Sequence, residues 1–338
     1  MSKSLSLTLI FDWECPLSEF SFFDVNSGKS YFPPNESDLF LTEYKSGMDR
    51  QLKEITDGKL PVSVYFSGPC LEQLASCDPT IIKAIKAASH IEILGGTYHH
   101  SLVSLFSKTH FQKEIDWHQQ LIKKHFGKKP KTFLNTTNIY FNDLTELLAE
   151  SDYQSTFTGA IDWYLGDKKH QRIFSSRTNE AFKLMLTNQD NGHTLFHDHE
   201  VIHNFMQLTS QQLEDFGGWK ELVRKTKAKA EIVSITEQLK AEPSYTYNIR
   251  QPISSAYGDI DSEQLKSYPL QESWLKQLYG LETSLAKKSE DLQKKWSRLG
   301  SFGVLKSLNP DLDQNETSSS YDVYQSLINM LSDLHLKL

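Results

Sequence analysis

The chain has 338 residues, of which 38% are hydrophobic and 12% aromatic, so it can bury a large core and is not a disordered protein. Its formal net charge is −7, and no basic run is interleaved with aromatic residues, which argues against a nucleic-acid partner. We find no signal-peptide pattern and no apolar stretch of membrane-spanning length, and Cys15, Cys70 and Cys77 fit no disulfide or metal spacing, so we expect a cytoplasmic protein with no membrane partner.

Seven apolar runs predict buried strands along the first two thirds of the chain. They cover residues 5–11, 62–66, 91–94, 132–134, 155–158, 183–186 and 201–206. The clearest helix between them spans residues 109–126, with a capping-box start at Thr109 and Gln112 and a stop at Gly127. Because buried strands that alternate with helices pair in parallel, the sequence predicts an α/β barrel or an open sheet.

Beyond residue 270 the pattern changes to helical runs over residues 271–296 and 321–338, each with an apolar stripe. The polar, Ser-rich residues 309–320 between them are typical of a surface loop. We therefore predict a main domain over residues 1–250 and a C-terminal helical bundle, packed on it, over residues 260–338.

In a parallel α/β barrel the active site is formed by residues that follow the strands. The polar and aromatic residues at these positions are Trp13, Glu14, Tyr98, His99, Thr137, Trp163 and Gln207. Longer motifs surround several of them. Residues 97–102 read Thr-Tyr-His-His-Ser-Leu, residues 135–140 read Asn-Thr-Thr-Asn-Ile-Tyr, and residues 203–209 read His-Asn-Phe-Met-Gln-Leu-Thr.

In order and spacing these motifs resemble those of glycoside hydrolase family 57, in its α-amylase branch. Pro16 matches the end of the family's first motif, and residues 252–254 and 320–336 extend the resemblance over most of the chain. The resemblance implies a (β/α)7-type barrel over residues 1–250 with a C-terminal helical domain. It also places Thr137 where the family has its nucleophile glutamate, Gln207 at the acid/base aspartate, and Glu14 at a sugar-contacting histidine.

Retaining glycosidases need two carboxyl groups, one to attack the sugar and one to protonate the leaving oxygen. A threonine hydroxyl is a weak nucleophile without a neighbouring base, and a glutamine amide has no proton of suitable acidity. We therefore expect ordinary amylase activity to be absent or slight. The alternative is an active glycoside hydrolase or transglycosylase with displaced acids, such as Glu14 or the pair Asp198 and Glu200, on an unidentified oligosaccharide.

The side chains that we predict to contact a sugar are Trp13, Tyr98, His99, Tyr140 and Trp163, with Trp219 as a further candidate ring. For any single ring, burial in the core is the commoner alternative. The histidines at positions 193, 197, 199 and 203 lack a third ligand at a recognisable spacing, so we predict no metal and no cofactor. Because we find no metal-ligand spacing at the strand ends, we also disfavour a metal-dependent carbohydrate deacetylase.

The sequence thus predicts an α-amylase-like protein with impaired catalysis that binds an α-glucan or assists glycogen or maltodextrin metabolism. Its protein partners cannot be identified from the sequence.

Overall fold

The computed structural model describes residues 4–159, 173–187, 205–243, 245–254, 269–309 and 319–338. Within these ranges the strands are β1 (Ser4–Phe11), β2 (Val62–Phe66), β3 (Ile91–Ile93), β4 (Thr132–Phe133), β5 (Ser155–Gly159), β6 (Ile173–Ser176), β7 (Lys183–Thr187), β8 (Phe205–Thr209), β9 (Glu231–Ile232) and β10 (Thr246–Tyr247). The helices of the barrel region are α1 (Glu36–Glu43), α2 (Asp49–Asp57), α3 (Gly68–Cys77), α4 (Pro79–Ala87), α5 (Lys108–Phe126), α6 (Asn142–Glu150), α7 (Ser210–Asp215), α8 (Trp219–Lys227) and α9 (Ile235–Gln238). Those of the C-terminal region are α10 (Pro269–Gly280), α11 (Glu282–Leu285), α12 (Glu290–Arg298), α13 (Phe302–Ser307) and α14 (Ser320–Leu336).

Seven parallel strands form the barrel in the order β8, β1, β2, β3, β4, β5, β7. Strand β1 pairs in parallel with β2 and β8, β2 pairs with β3, β4 with β5, and β5 with β7. Gly95 joins β3 to β4, because its N–H donates to Thr132 O at 3.0 Å and its carbonyl accepts from Leu134 N–H at 2.7 Å. Strand β7 contacts β8 and completes the ring. The predicted (β/α)7-type barrel with a C-terminal helical region is confirmed.

Three short strands were not predicted. Strand β6 pairs antiparallel with β7, β10 pairs with β6, and β9 pairs with the start of β1. The predicted strand at residues 201–206 is placed at Phe205–Thr209, and residues 201–204 lie outside the described ranges. Strands of two to four residues carry too few side chains for a period-two pattern, which explains why they were missed.

The barrel interior is filled by one side chain from each of the seven strands or the residue that follows it. These are Ile10, Tyr65, Leu94, Leu134, Phe157, Met185 and Phe205, and they pack with Ile173 and Ile235 in one buried cluster. The alternate residues of each strand face the surrounding helices in a second, larger core. Burying a large apolar side chain stabilises the folded state by roughly 1.5–3 kcal/mol. The strands therefore keep the register that buries these side chains, and this register decides which polar side chains of the strands face the interior.

Close packing requires the two consecutive glycines after β3. A Cβ atom on Gly95 would lie 2.1 Å from the Tyr153 hydroxyl oxygen, and one on Gly96 would lie 2.4 Å from the Tyr65 ring. Both distances are far below van der Waals contact. This close approach of the backbone lets Tyr65 fill the barrel interior.

Helix α5 braces the strand ends from outside. The predicted start at Thr109 is wrong, because the helix begins at Lys108 and is capped by Ser107, whose hydroxyl accepts from His110 N–H at 2.9 Å. The predicted stop is confirmed: Gly127 has φ 67° and ends the helix in the left-handed conformation that glycine favours.

His118, on α5, ties β2 to β3. Its Nδ1 accepts from Gly96 N–H at 3.0 Å, so its Nε2 carries the proton and donates to Phe66 O at 2.8 Å. Complete burial lowers the pKa of His118 to about 4, which keeps this ring neutral near pH 7.

The C-terminal helices pack against the barrel mouth. The predicted run over residues 271–296 is divided into α10, α11 and α12. Phe302 N–H donates to His100 O at 3.1 Å, and Ser101 forms an antiparallel bridge with Ser301, so the loop after β3 and the start of α13 are joined through their backbones. Among the described residues, no helix has the length and apolarity needed to cross a membrane.

Candidate functional site

The carboxyl ends of the barrel strands bring polar side chains together at one mouth. Along β1 the inward positions are Ser6, Thr8 and Ile10, and Asp12 is the next position in this alternation. Thr8 lies beside Gln207 of β8 in the register of the parallel pair. The mouth therefore combines the end of β1 with the end of β8, as barrel geometry requires.

Asp12 and His100 form a largely buried pair at this mouth. His100 Nδ1 lies 2.7 Å from Asp12 Oδ2, and Asp12 Oδ1 accepts from Trp13 N–H at 2.8 Å. Burial alone would raise the pKa of Asp12, but the attraction of His100 and hydrogen bonds from His100 and Ser67 hold it below its usual value. The carboxylate therefore stays charged and fixes the orientation of the imidazole ring.

Thr137 and Asn138 follow β4 in a turn of unusual conformation. Both residues have positive φ angles, 53° for Thr137 and 52° for Asn138. Such a conformation is rare for a β-branched residue. Ser254 Oγ donates a short hydrogen bond to Thr137 O and holds the turn from outside.

Gln207 is joined to this turn directly. Asn138 Nδ2 donates to Gln207 Oε1 at 2.9 Å. The structure thus places Gln207, at the assigned acid/base position, against the residue that follows Thr137, the assigned nucleophile position. Asn138 and Gln207 are both neutral amides, so this contact contains no carboxyl group.

Four buried polar atoms on two turns, those after β3 and β4, have no hydrogen-bond partner among the residues that the structure describes. They are His100 Nε2, Thr136 Oγ1, Thr137 Oγ1 and Asn138 Oδ1. An unsatisfied buried polar atom costs roughly 1–3 kcal/mol, and natural proteins keep few of them. A cluster of such atoms at a barrel mouth favours a ligand that supplies the missing partners.

His99 points away from His100 and into a second buried network. Glu114 accepts from His99 N–H at 2.8 Å and lies 3.0 Å from His99 Nδ1. Ser297 of α12 donates a short hydrogen bond to the same carboxylate and contacts His110 Nε2 at 2.7 Å. Burial would raise the pKa of Glu114, but its interaction with His99 holds that pKa well below its usual value.

Glu14 occupies the rim rather than the interior. Its carboxylate lies 2.5 Å from Lys306 Nζ of α13, and the side chain is about 38% exposed. A Cβ atom on Gly303 would lie 2.9 Å from Glu14 Cβ, so α13 packs directly on this residue. Its role as a displaced acid stays a prediction.

The predicted sugar-contacting rings are mostly buried. Trp13 donates from Nε1 to Glu36 Oε1 at 2.8 Å and packs edge-on against Phe40. Tyr140 is fully buried beside Tyr247, which favours a packing role. Tyr98 and His99 line a side pocket of about 500 Å³ that also reaches Glu36.

The remaining candidates add little to the mouth. Trp219 is buried at the start of α8. Trp163, Asp198, Glu200 and the histidines at positions 193–203 lie outside the described residues. Within the described ranges no group of three or more His, Cys, Asp or Glu side chains is placed to hold a metal ion.

Comparison with known proteins identifies the family. The model of glycosyl hydrolase family 57 matches residues 8–247, which span the barrel from β1 to β10. The chain belongs to this family. Among curated proteins, it is 28% identical over 170 residues to a "Putative alpha-amylase" from Methanocaldococcus jannaschii. That match covers 49% of this chain and 33% of the relative, so it spans about a third of the relative's length.

Solved structures of the family share the fold of this chain. The α-amylase AmyC from Thermotoga maritima superposes with a TM-score of 0.59 at 10% identity, covering 100% of this chain and 93% of AmyC. A family 57 branching enzyme from Thermococcus kodakaraensis has a TM-score of 0.59 at 11% identity, with 96% of this chain and 86% of that enzyme covered. These low identities show a common architecture over both barrel and helical regions.

Sequence reasoning missed the residues with the most informative geometry. Asp12 was not among the predicted site residues, although it continues the inward alternation of β1. His100 was passed over for His99, because a pair of adjacent histidines does not reveal which one faces the interior. Glu114 carried no signal, since a lone acidic residue in an amphipathic helix is usually on the solvated face.

Proposed function

We propose that this family 57 protein binds an α-glucan or a related oligosaccharide at the barrel mouth and lacks retaining hydrolysis. The observation that carries the binding half is the cluster of unsatisfied polar atoms on His100, Thr136, Thr137 and Asn138. Sugar hydroxyls both donate and accept hydrogen bonds, so a bound sugar can satisfy these atoms at little cost. The protein would then act as a binding component of α-glucan metabolism.

The neutral contact between Asn138 and Gln207 supports the second half of the proposal. Removing the nucleophile and the acid/base from a retaining mechanism raises the barrier by roughly 5–8 kcal/mol, or about four to six powers of ten in rate. With Thr137 and Gln207 at these positions, binding can persist while bond cleavage does not.

Affinity electrophoresis tests the binding half. Glycogen and starch in the gel should retard the wild type, whereas an unrelated β-glucan should not. Thr137→Val removes the hydroxyl at the mouth and should reduce retardation. Thr226→Val is the matched control, because Thr226 Oγ1 is also buried and unsatisfied among the described residues but lies on α8. Unretarded migration of the wild type in every α-glucan would overturn the proposal.

A second candidate function, hydrolysis or transglycosylation by displaced groups, is favoured by the pair of Asp12 and His100. His100 Nε2 faces no partner in the described structure, and Asp12 orients the ring through Nδ1, which is the arrangement of a general base. Turnover of a maltooligosaccharide that disappears in Asp12→Asn and His100→Asn would support this candidate. Loss of turnover in Glu14→Gln alone would support Glu14 instead, and no turnover of any sugar by the wild type would end both.

A further inference from the structure

A second pocket lies beside the barrel mouth, on the outer side of the segment that carries His99. It has a volume of about 500 Å³, within the range of small-molecule sites. Its walls are residues 28–33 after β1, the first turns of α3, and α12 from the C-terminal region. Tyr98 and His99 form part of the lining, whereas the next residue, His100, turns to Asp12 at the barrel mouth.

The lining of this pocket is positively charged in a chain whose net charge is −7. Five cationic side chains line it, namely Lys29, Lys294, Lys295, Arg298 and Lys337. Only three carboxylates, those of Glu36, Glu72 and Asp291, share the lining. Within the lining the cations outnumber the carboxylates by two, and the acidic partners of Lys29, Lys294 and Lys337 lie outside the lining. A lining with more cations than carboxylates favours an anionic ligand.

Two of these cations are structural. Arg298 makes two hydrogen bonds to Glu36, and Lys337 lies 2.5 Å from Asp333, a carboxylate that is only 1% exposed. Such paired, partly buried groups are costly to separate. They are therefore not available as direct donors to a ligand.

The other three cations are held weakly. Lys294 pairs with Glu290 at 3.1 Å and Lys295 with Asp291 at 2.7 Å, each as an exposed pair one helical turn apart. Lys29 pairs with Asp24 at 3.1 Å in the same partly exposed way. Pairs of this kind contribute roughly 0.2–1 kcal/mol, so the lysines can turn to a bound anion.

Lys294 is in the best position to do so. Its Nζ lies 5.0 Å from the centre of the Tyr98 ring and 5.5 Å from that of Trp117, which keeps the ammonium group above the inner wall. Arg298 lies 3.9 Å from the centre of the Phe32 ring and covers it. Because cationic groups cover the faces of these rings, a ligand in the pocket would contact the cationic groups rather than the aromatic faces.

We propose that this pocket binds a small organic phosphate that carries hydroxyl groups, such as a phosphorylated sugar. A phosphate dianion accepts from several ammonium groups at once, whereas a carboxylate is best matched by an unpaired arginine fork. The volume exceeds that of a phosphate group, and Ser30, Gln73 and Glu72 supply polar atoms for hydroxyls. The site is separate from the proposed glucan site at the barrel mouth.

Isothermal titration calorimetry with glucose 1-phosphate, inorganic phosphate and glucose tests this proposal on the full chain. Glucose 1-phosphate should bind, and the double variant Lys294→Gln, Lys295→Gln should weaken its binding by about tenfold or more. Lys276→Gln is the matched control, because Lys276 makes an exposed pair of the same kind with Glu272 at 2.7 Å on α10 but does not line the pocket. A melting temperature measured for each variant verifies its folding.

The outcomes separate the possible ligands. Binding of both phosphates identifies the phosphate group as the main determinant, and binding of glucose 1-phosphate alone shows that the sugar is needed as well; both support the proposal. Equal binding of glucose, unchanged affinity in the double lysine variant, or no binding of glucose 1-phosphate at millimolar concentration would each overturn it. Thr137→Val should leave this binding intact, so failure here is distinguishable from failure of glucan binding.

Discussion

The side-chain amide of Asn138 donates a hydrogen bond to Gln207 Oε1 at 2.9 Å, and this contact joins the turn after β4 to the end of β8. It connects Asn138, the residue after the position that the resemblance assigned to the family nucleophile, with Gln207, the position assigned to the acid/base, 69 residues along the chain. The two assigned positions, Thr137 and Gln207, thus lie on segments that touch, and both carry neutral side chains.

Reintroducing both carboxyl groups should restore cleavage. We expect the double variant Thr137→Glu, Gln207→Asp to hydrolyse maltoheptaose at least about a hundredfold faster than either single variant, because retaining cleavage needs an attacking and a protonating group together. Release of reducing ends measures the rate. The control Thr136→Glu, Gln207→Asp places the glutamate one residue away from position 137, so its rate of reducing-end release should remain at background. Equal rates in the single and double variants would contradict the prediction.

The turn at Thr137 should be more stable with glycine. A left-handed conformation costs an L-residue roughly 1–2 kcal/mol, and this gain exceeds the entropic cost of glycine of roughly 0.5–1 kcal/mol. Thr137→Gly should therefore raise the free energy of unfolding by about 0.5 kcal/mol in urea denaturation. Thr136 lacks a positive φ, so Thr136→Gly should lower that free energy by about 1 kcal/mol. If both variants are destabilised equally, the backbone at position 137 is not strained.

The two glutamates Glu114 and Glu14 should differ strongly in their contributions to stability. Glu114→Gln puts an amide N–H₂ group against the donors of His99 and Ser297, so we expect a loss of about 3 kcal/mol in the free energy of unfolding. Glu14→Gln removes only a partly exposed ion pair with Lys306 and should cost less than about 1 kcal/mol. Chemical denaturation of both variants measures the contrast, and similar losses would argue against a structural role for the buried network.

Stability should fall in mild acid because of two buried histidines. Burial lowers the pKa values of His110 and His118 to about 4 from 6.5, so the unfolded chain binds protons more readily than the folded one. Their contribution is fully present above pH 6.5 and is lost as pH falls through 4. Between pH 6.5 and 4.5 we expect a loss on the order of 2 kcal/mol for each histidine.

Urea denaturation at the two pH values checks this loss. His110→Phe should retain the aromatic packing against Trp296, at 4.3 Å between ring centres, and show a smaller decrease over the same interval. His335 lies on the exposed side of α14, so the free energy of unfolding of His335→Gln should decrease over this interval as much as that of the wild type. A decrease in His110→Phe as large as that of the wild type would assign the acid sensitivity to other groups.

The parts of the fold that were predictable are those with local patterns. Buried β1 and β2 carry runs of mainly apolar residues, and Gly127 ends α5 because few other residues adopt its conformation. The division of the chain near residues 250–260 stays a prediction, since residues 255–268 lie outside the described ranges. The side-chain partners of His99 and His100 were beyond reach, because the contacts are set by the tertiary fold. His100 pairs with Asp12, 88 residues away, and His99 pairs with Glu114, whose own partner Ser297 lies 183 residues further along the chain.

The backbone junction between the loop after β3 and the start of α13 bears on how the molecule unfolds. Phe302 N–H donates to the carbonyl oxygen of His100, the residue whose ring pairs with Asp12. Opening of the helical region would therefore remove one of the contacts that hold His100 in place. Hydrogen exchange of the Phe302 amide should therefore report directly on the integrity of the barrel mouth. Barrel and helices would then lose their structure in a single cooperative transition rather than one after the other.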